Sequence, residues 1–510
     1  MSSHRKDVSE ISGSTAISVY LLDPATPYAI NVLALNQVKS GHDSVACTIL
    51  SRIVRLVPSN AGANKNYALC LRKLGRSYEA AHYYQRLLSL APDDAAGWEG
   101  LGTTATEHEI RAQDAAPFFR SIALQPNTAL AHSNLGGALH LLGRFAQAAC
   151  FLRRSIALNP GSNKTYLNLG NTCKALGELD ASALCYSRSL IIAPGDPTST
   201  WNQSMLLLLN GDLKEGFRQY ESRLKLPGYR PTRFPPWTGI ETIEGKKLLV
   251  RAEQGLGDTL QFCRFMDGLI GRKTAVSFAV PRALHALLRP SLTGVTLYED
   301  SDALPTHDFE ASLMSLPAIL GVDQRNLPFR TNYLIANPTR REKWSEVLPS
   351  AALKVGIAWQ GKLTSAVDRG RSFSLECFAG VASIPGVQLI SLQKGPGSEQ
   401  VSHLVGHMKL YVPDERFDED GAFVDTAAIM MSLDLVITSD TSIAHLAGAL
   451  GVPVWVVLQR IPEWRWMLGR NDSPWYPTMR LFRQTRNGCW DEPFAGIVDS
   501  IGPLLRSRLG

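Results

Sequence analysis

The sequence predicts an α-solenoid of paired helices followed by an α/β half made of two doubly wound lobes. Three observations carry this reading. Prolines recur at one fixed spacing through the amino-terminal part, and β-type runs alternate with helical stretches from Lys246 onward. Several of those runs also end in polar, glycine-bearing turns.

The solenoid comes first. Pro58, Pro92, Pro126, Pro160 and Pro194 are each 34 residues apart. Proline closes a helix because it cannot continue the hydrogen-bond ladder. The same frame holds a large residue at Trp98, His132 and Tyr166. It holds a Leu-Gly pair at Leu101-Gly102, Leu135-Gly136 and Leu169-Gly170, where two helices can cross closely. A small residue recurs at Ala80 and Ala148, with bulky partners at Tyr84, Phe118, Leu152 and Tyr186. A 34-residue period with these positions is the tetratricopeptide pattern. Five repeats run from about Pro27 to Pro194, and Ser199 to Leu224, turning at Gly211-Asp212, reads as a cap. Such solenoids present a concave face, which implies a partner, most simply a polypeptide. Asn134, Asn168 and Asn202 recur in the frame. They could hydrogen-bond an extended peptide, or they could form a solvated polar face.

Pro227 to Trp237, rich in proline and aromatics, cannot be helical and reads as a rigid connector. Strand-like runs follow at Leu248–Arg251, Ala275–Val280 and Val295–Tyr298. After a polar helix near Pro338 to Glu346 they resume at Lys354–Trp359, Val387–Leu392, Leu410–Val412, Leu433–Thr438, Val452–Leu458 and Met479–Phe482. Strand–helix alternation of this kind predicts parallel sheets covered on both faces, with a cleft at the carboxyl ends of the strands. The expected organisation is a tail (1–26), the repeat array with its cap (27–225), a connector (226–245), a first lobe (246–350) and a second lobe (351–510).

Composition excludes several classes. A net charge of +6 over 510 residues gives no concentrated basic stripe, so nucleic acid is not an expected partner. The eight cysteines include no Cys-x-x-Cys pair, and no zinc-like spacing with histidines occurs. No metal or resident cofactor is expected. Scattered free cysteines suit a reducing compartment, and the cytoplasm is the expected location. Met1 to Thr15 lacks the apolar core of a signal peptide, and no apolar run approaches the roughly 20 residues of a membrane span.

Three motifs carry chemistry. In Glu253-Gln254-Gly255-Leu256-Gly257-Asp258, a strand enters a glycine turn and then a helix. Gly255 and Gly257 let the backbone approach a ligand, and Asp258 at the helix start suits an N-cap. In Asp440-Thr441-Ser442-Ile443-Ala444-His445, the polar helix start suits hydroxyls and phosphate oxygens, with Gly451 and Pro453 as the stop. His445 fits either a satisfied core or a ligand role. The strand end at Trp359 opens into a polar loop holding Lys362, Arg369 and Arg371, and Lys394 follows a later strand. Such cations suit a diphosphate, or simply a solvated loop.

These motifs, with Gly451-Val-Pro-Val-Trp455, Pro462-Glu-Trp464-Arg-Trp466 and Ser473-Pro-Trp475-Tyr-Pro477, resemble bacterial proteins that fuse tetratricopeptide repeats to a family 9, heptosyltransferase-like glycosyltransferase domain. The architecture is also similar to that of protein O-GlcNAc transferase. The resemblance implies a GT-B fold and inverting, metal-independent transfer of a hexosyl or heptosyl group. A nucleotide-diphosphate sugar would be the co-substrate. It implies Asp258 as base, with Gly255, Gly257, Trp359, Arg371, Lys394, Asp440, Thr441, Ser442 and His445 on the donor side. The loop after Trp359 departs from the pattern, reading Gln360-Gly361-Lys362-Leu363-Thr364 where Gly-Asn-Pro and a histidine are expected. Two rivals stand beside this reading: a non-catalytic repeat scaffold that binds a nucleotide, and a transferase acting on lipopolysaccharide or another glycan.

Overall fold

The computed structural model describes residues 27–106, 112–301, 303–327, 332–362, 370–404, 408–414 and 416–509. They fall into two compact units, divided between Ser199 and Thr200.

The first unit is a run of antiparallel helix pairs: α1 (Pro27–Lys39) with α2 (Asp43–Leu56), α3 (Ala61–Lys73) with α4 (Ser77–Leu90), α5 (Ala95–Thr106) with α6 (Ala116–Leu124), α7 (Ala129–Leu141) with α8 (Phe145–Leu158), and α9 (Asn163–Leu176) with α10 (Leu179–Ile192). One period recurs through these pairs. Each in-frame proline sits two residues beyond the end of a second helix, and two residues before the next N-cap position. Asn60 caps α3 by accepting from the Ala63 N–H at 2.9 Å, Asp94 accepts from Gly97 at 2.7 Å, and Ser162 accepts from Thr165 at 3.4 Å. The large in-frame residue reaches back to the proline turn. Trp98 Nε1 donates to the Pro92 carbonyl at 2.8 Å, and His132 Nε2 lies 2.8 Å from the Pro126 carbonyl oxygen.

The Leu-Gly glycines do what their spacing implied. A Cβ on Gly102, Gly136 or Gly170 would stand 2.8, 2.5 or 2.5 Å from Phe118, Leu152 or Tyr186, the bulky partners in the same frame. Gly41, Gly75, Gly143 and Gly177 form a second glycine series in the frame. Each ends a first helix at φ between 74° and 80°, a left-handed conformation that glycine adopts without strain.

The second unit begins inside α11 (Pro197–Leu209) and continues with α12 (Leu213–Tyr220). The helix pair read as a repeat cap therefore divides with the α/β region from Thr200 on. The reason is the aromatic face of α12: the Phe217 ring centroid lies 5.6 Å from that of Trp464 and 6.4 Å from those of Phe262 and Trp475. Arg223 just beyond it is buried and pairs with Glu253 at 2.5 Å.

Two parallel sheets follow. The first contains β1 (Lys247–Arg251), β2 (Ala275–Val280), β3 (Val295–Glu299) and β4 (Phe309–Ser312), in the order β3-β2-β1-β4. The second contains β5 (Leu353–Ala358), β6 (Val387–Ser391), β7 (Leu410–Tyr411), β8 (Leu435–Ser439), β9 (Val454–Leu458) and β10 (Met479–Arg483), in the order β10-β9-β8-β5-β6-β7. Counted from β5, that is the 3-2-1-4-5-6 order of a doubly wound sheet, reversing between β5 and β8. β6, β8 and β9 are buried at every residue, as strands covered on both faces must be.

β4 is the strand that the sequence pattern did not reveal. It is four residues long, and its central Glu310 is buried against Arg251 Nε at 2.9 Å. The connector also does more than connect. Trp237 is buried, and its N–H donates to the Glu310 carbonyl at 2.8 Å, which extends the edge beside β4.

Candidate functional site

The strand ends of the second sheet open into a cavity of about 1050 Å³. Ala358, Gln360, Gly361 and Lys362 line it beyond β5, and Leu392, Gln393, Lys394 and Pro396 beyond β6. Thr441, Ser442 and Ile443 come from the start of α16 (Ser442–Leu450), and residues 418–423 come from the loop before α15 (Val424–Met430). Arg282, His285 and Arg289, following β2 of the first sheet, close the remaining side. The helices labelled α13 (Leu256–Phe262) and α14 (Pro338–Val347) precede these in the chain.

Gln393 shapes the floor. Its Oε1 accepts from the Trp359 and Gln360 N–H groups at 3.0 and 3.1 Å, and its Nε2 donates to the Gln360 and Pro396 carbonyls at 2.8 and 2.7 Å. One amide thus clamps two strand-end turns. The Lys394 ammonium donates to the Phe417 carbonyl and sits over the Phe417 ring at 4.8 Å.

Only some of the expected site residues line the cavity. Lys394, Thr441 and Ser442 line the cavity. Asp440, Arg371 and His445 do not line it. The Arg371 Nε pairs with Asp440 at 3.3 Å, so these two candidates neutralise each other. Trp359 does not line the cavity: it is fully buried in the hydrophobic core of the second sheet, and its Nε1 donates to the Gly397 carbonyl at 3.1 Å. Its side chain packs the lobe, because the strand's alternation turns it away from the cleft. Arg369 and the loop residues Leu363 and Thr364 lie outside the described residues.

Gly255 and Gly257 do not line the cavity either. The left-handed residue of that turn is Gln254, at φ 63°, held by its Nε2 donating to the Tyr220 hydroxyl at 2.8 Å. Gly257 instead allows α13 to lie against α16. A Cβ there would come 3.2 Å from His445 Cδ2 and 3.4 Å from Ser442 Cα. Asp258, the next residue, does not line the cavity. Its Oδ2 accepts from the Gly255 N–H at 2.8 Å, the cap that the sequence allowed, and its Oδ1 accepts from Arg465. Arg465 also donates to Glu463 at 2.6 Å and to the Gln261 side chain at 2.7 Å.

Arg465 and Arg264 are the residues that sequence reasoning missed. Arg264 is buried between the Tyr333 and Tyr476 rings, 4.6 Å from each centroid, and donates to the Trp475 carbonyl at 2.7 Å. The aromatic segments Trp464–Trp466 and Trp475–Tyr476 offered the only sequence signal, since a buried guanidinium commonly stacks on such rings.

His445 is buried, stacks on Trp466 at 5.2 Å, and meets the Tyr476 hydroxyl at 3.0 Å through Nδ1. Burial, reinforced by Arg465, Arg264 and Arg371, holds its pKa well below the ordinary 6.5. An unfolded chain protonates this histidine near pH 6.5 while the folded one does not, so its contribution to stability is complete above that pH and is lost as pH falls. The loss is about 1.4 kcal/mol per pH unit until the folded pKa is reached. Urea unfolding at about pH 7 and about pH 5.5 is expected to show a smaller acid loss in His445→Gln than in the parent. Equal losses would mean that the imidazole is already charged in the fold.

The repeats carry a groove of their own. It encloses about 370 Å³ and is lined by Asn134, Asn168, Asn171, Thr103, Thr106 and His140 among others. Asn134 Nδ2 donates to Glu99 at 2.9 Å. Asn202 lies on α11, on the second unit's side of the division. Asn66, one further member of the frame, donates to Asn31 at 3.1 Å. Among the described residues no three or more His, Cys, Asp or Glu side chains gather to hold a metal, and no helix is long and apolar enough to cross a membrane.

The tetratricopeptide-repeat family model matches residues 32–95, 68–127 and 111–163. Protein FlbA of Caulobacter vibrioides is 27% identical over 337 residues, a distant likeness covering 60% of this chain and 55% of that protein. The chain therefore spans about half the length of the curated relative it matches. Among solved structures, the APC/C hetero-tetramer Cut9-Hcn1 is similar over 42% of this chain and 43% of that one, at 14% identity and a TM-score of 0.40. PilF of Pseudomonas aeruginosa is similar over 40% and 92%, at 19% identity and 0.35. YrrB, described as a TPR protein with an unusual peptide-binding site, is similar over 34% and 91%, at 16% identity and 0.29. The chain carries tetratricopeptide repeats stacked as a helical solenoid, followed by a region of parallel-sheet α/β structure.

Proposed function

We propose that the α/β region is a GT-B glycosyltransferase that moves a sugar from a nucleotide-diphosphate sugar to an acceptor hydroxyl with inversion, and that the repeats recruit a polypeptide acceptor. The observation that carries this reading is the large cavity at the strand ends, where Lys362, Lys394, Arg282 and Arg289 meet the start of α16. Cations and free N–H groups at a helix start suit a departing diphosphate. On this reading they supply the charge that a metal supplies elsewhere. Asp258, which follows Gly257 at the α13–α16 contact, would take the acceptor hydroxyl's proton. The oxygen would then bond to the anomeric carbon as the bond to the diphosphate breaks, its electron pair leaving on the diphosphate oxygen.

A second reading has its own support. Both oxygens of Asp258 already accept hydrogen bonds, and Trp359 is packed into the core. Both features suit a scaffold that binds a nucleotide without turnover. Transfer to lipopolysaccharide or another glycan, with the repeats used for assembly, is the enzymatic alternative. Thermal-shift measurements with UDP, GDP and ADP, followed by hydrolysis assays on the corresponding nucleotide sugars, separate these. At least one nucleotide is expected to raise the Tm, and its sugar to be turned over. Binding without turnover would assign the scaffold role, and no binding at all would sink both. Intact-mass analysis of co-expressed proteins then distinguishes a polypeptide acceptor from a glycan.

A further inference from the structure

We infer that Phe423 is the platform on which the nucleotide base stacks in this cavity, making it the residue that distinguishes a nucleotide from a bare diphosphate. The inference rests on the nucleotide reading above.

The loop before α15 has an unusual backbone. Asp418, Gly421 and Phe423 have φ of 62°, 153° and 67°. A left-handed conformation is ordinary for glycine but a true outlier for a bulky aromatic residue. Nor does the start of α15 call for phenylalanine, since N-caps favour Ser, Thr, Asp and Asn. The conformation is imposed from outside. The Asp418 carboxylate accepts from the Asp425 and Thr426 N–H groups at 2.6 and 3.0 Å, while Asp425 accepts from the Asp418 N–H at 2.8 Å. Asp425 is in turn held by Arg340 at 2.7 Å and Trp344 Nε1 at 2.8 Å. On the other side, the Ala422 N–H donates to the Ala283 carbonyl at 2.7 Å. Strain held in place by its surroundings is typical of functional loops.

What the strain achieves is a half-exposed aromatic ring on the cavity wall. Among the described lining residues the only other aromatic ring is that of His285, whose Nε2 lies 3.2 Å from the Tyr298 carbonyl oxygen. The remaining apolar lining is small or aliphatic, the cations are Lys362, Lys394, Arg282 and Arg289, and of the carboxylates Asp418, Glu419 and Asp420, Asp418 is taken up by the Asp425 and Thr426 N–H groups and Asp420 by Arg340. A ligand matching this wall has a flat π face and an anionic part. A nucleoside diphosphate has both, and a base stacks on an aromatic face whatever its identity.

The test uses the full chain and four probes, UDP, GDP, ADP and inorganic pyrophosphate, titrated by calorimetry. The parent is expected to bind at least one nucleoside diphosphate about ten-fold or more tighter than pyrophosphate. Phe423→Tyr is expected to keep that advantage. Phe423→Leu and Phe423→Gly are expected to lose it, with pyrophosphate affinity unchanged and the Tm of Phe423→Gly no lower than the parent's. Parent-like nucleotide binding by Phe423→Gly would overturn the stack, as would equal parent affinities for pyrophosphate and every nucleotide. Loss of pyrophosphate binding in both variants would assign Phe423 to loop shape alone and likewise overturn it. Failure of the parent to bind any nucleotide would instead sink the nucleotide reading itself.

Discussion

Replacing Arg465 by methionine is expected to cost about 3–5 kcal/mol of folding stability, the scale for removing one partner of a buried ion pair. The guanidinium is 8% exposed and ends on Glu463, Asp258 and the Gln261 side chain. It also lies over the Trp464 ring at 4.3 Å. Methionine fills much of the volume, so packing loss is a small part of the effect. The main cost is the Glu463 carboxylate left without its cation in a site where burial already raises its pKa. Adding Glu463→Gln to the same chain is expected to recover part of the loss, because the stranded charge is then gone. Urea unfolding of the parent, the single variant and the double variant measures this. A single-variant loss below about 1 kcal/mol would mean that water reaches the pair and screens it.

Asp258→Asn is expected to lower sugar transfer by about 10²–10⁴-fold, the usual contribution of a positioned general base. The substitution isolates the chemistry. Asparagine keeps an oxygen for the Gly255 N–H, so the helix start survives, and Arg465 retains Glu463 and Gln261 as acceptors. Stability is expected to fall far less than in Arg465→Met. Turnover and unfolding measured on the same preparation keep the two effects apart. Full transfer by the asparagine variant would remove Asp258 from the reaction and leave it as cap and ion-pair partner.

Much of the first unit was legible because its contacts repeat. The residues at 50, 84, 118, 152 and 186 are all buried, and each belongs to one 34-residue frame. A periodic contact is a local rule, and a sequence states such a rule many times over. The strands of the second unit were legible for a different reason, since β-type runs between turns are themselves local. β4 escaped because it is four residues long and holds a glutamate that only a distant partner neutralises. A buried glutamate looks like a surface residue until Arg251 is known to meet it.

The candidate site was less legible. Asp440, Thr441 and Ser442 were identified as a helix start, and Thr441 and Ser442 do line the cavity. Whether Trp359 faced the cleft or the core depended on the direction of one side chain at the end of β5. The engagement of Asp258 depended on Arg465, 207 residues away in the chain.

Sequence alone determined the repeat register, the glycines where helices cross, the strand–helix alternation and the positions of the polar strand ends. Each follows from backbone and side-chain preferences acting over a few residues or one period. Tertiary structure decided which strand ends share a cavity, which cations face it, and which are neutralised by a partner such as Asp440. Those outcomes depend on long-range charge pairing and burial. Both are properties of neighbours in space, and no local pattern encodes them.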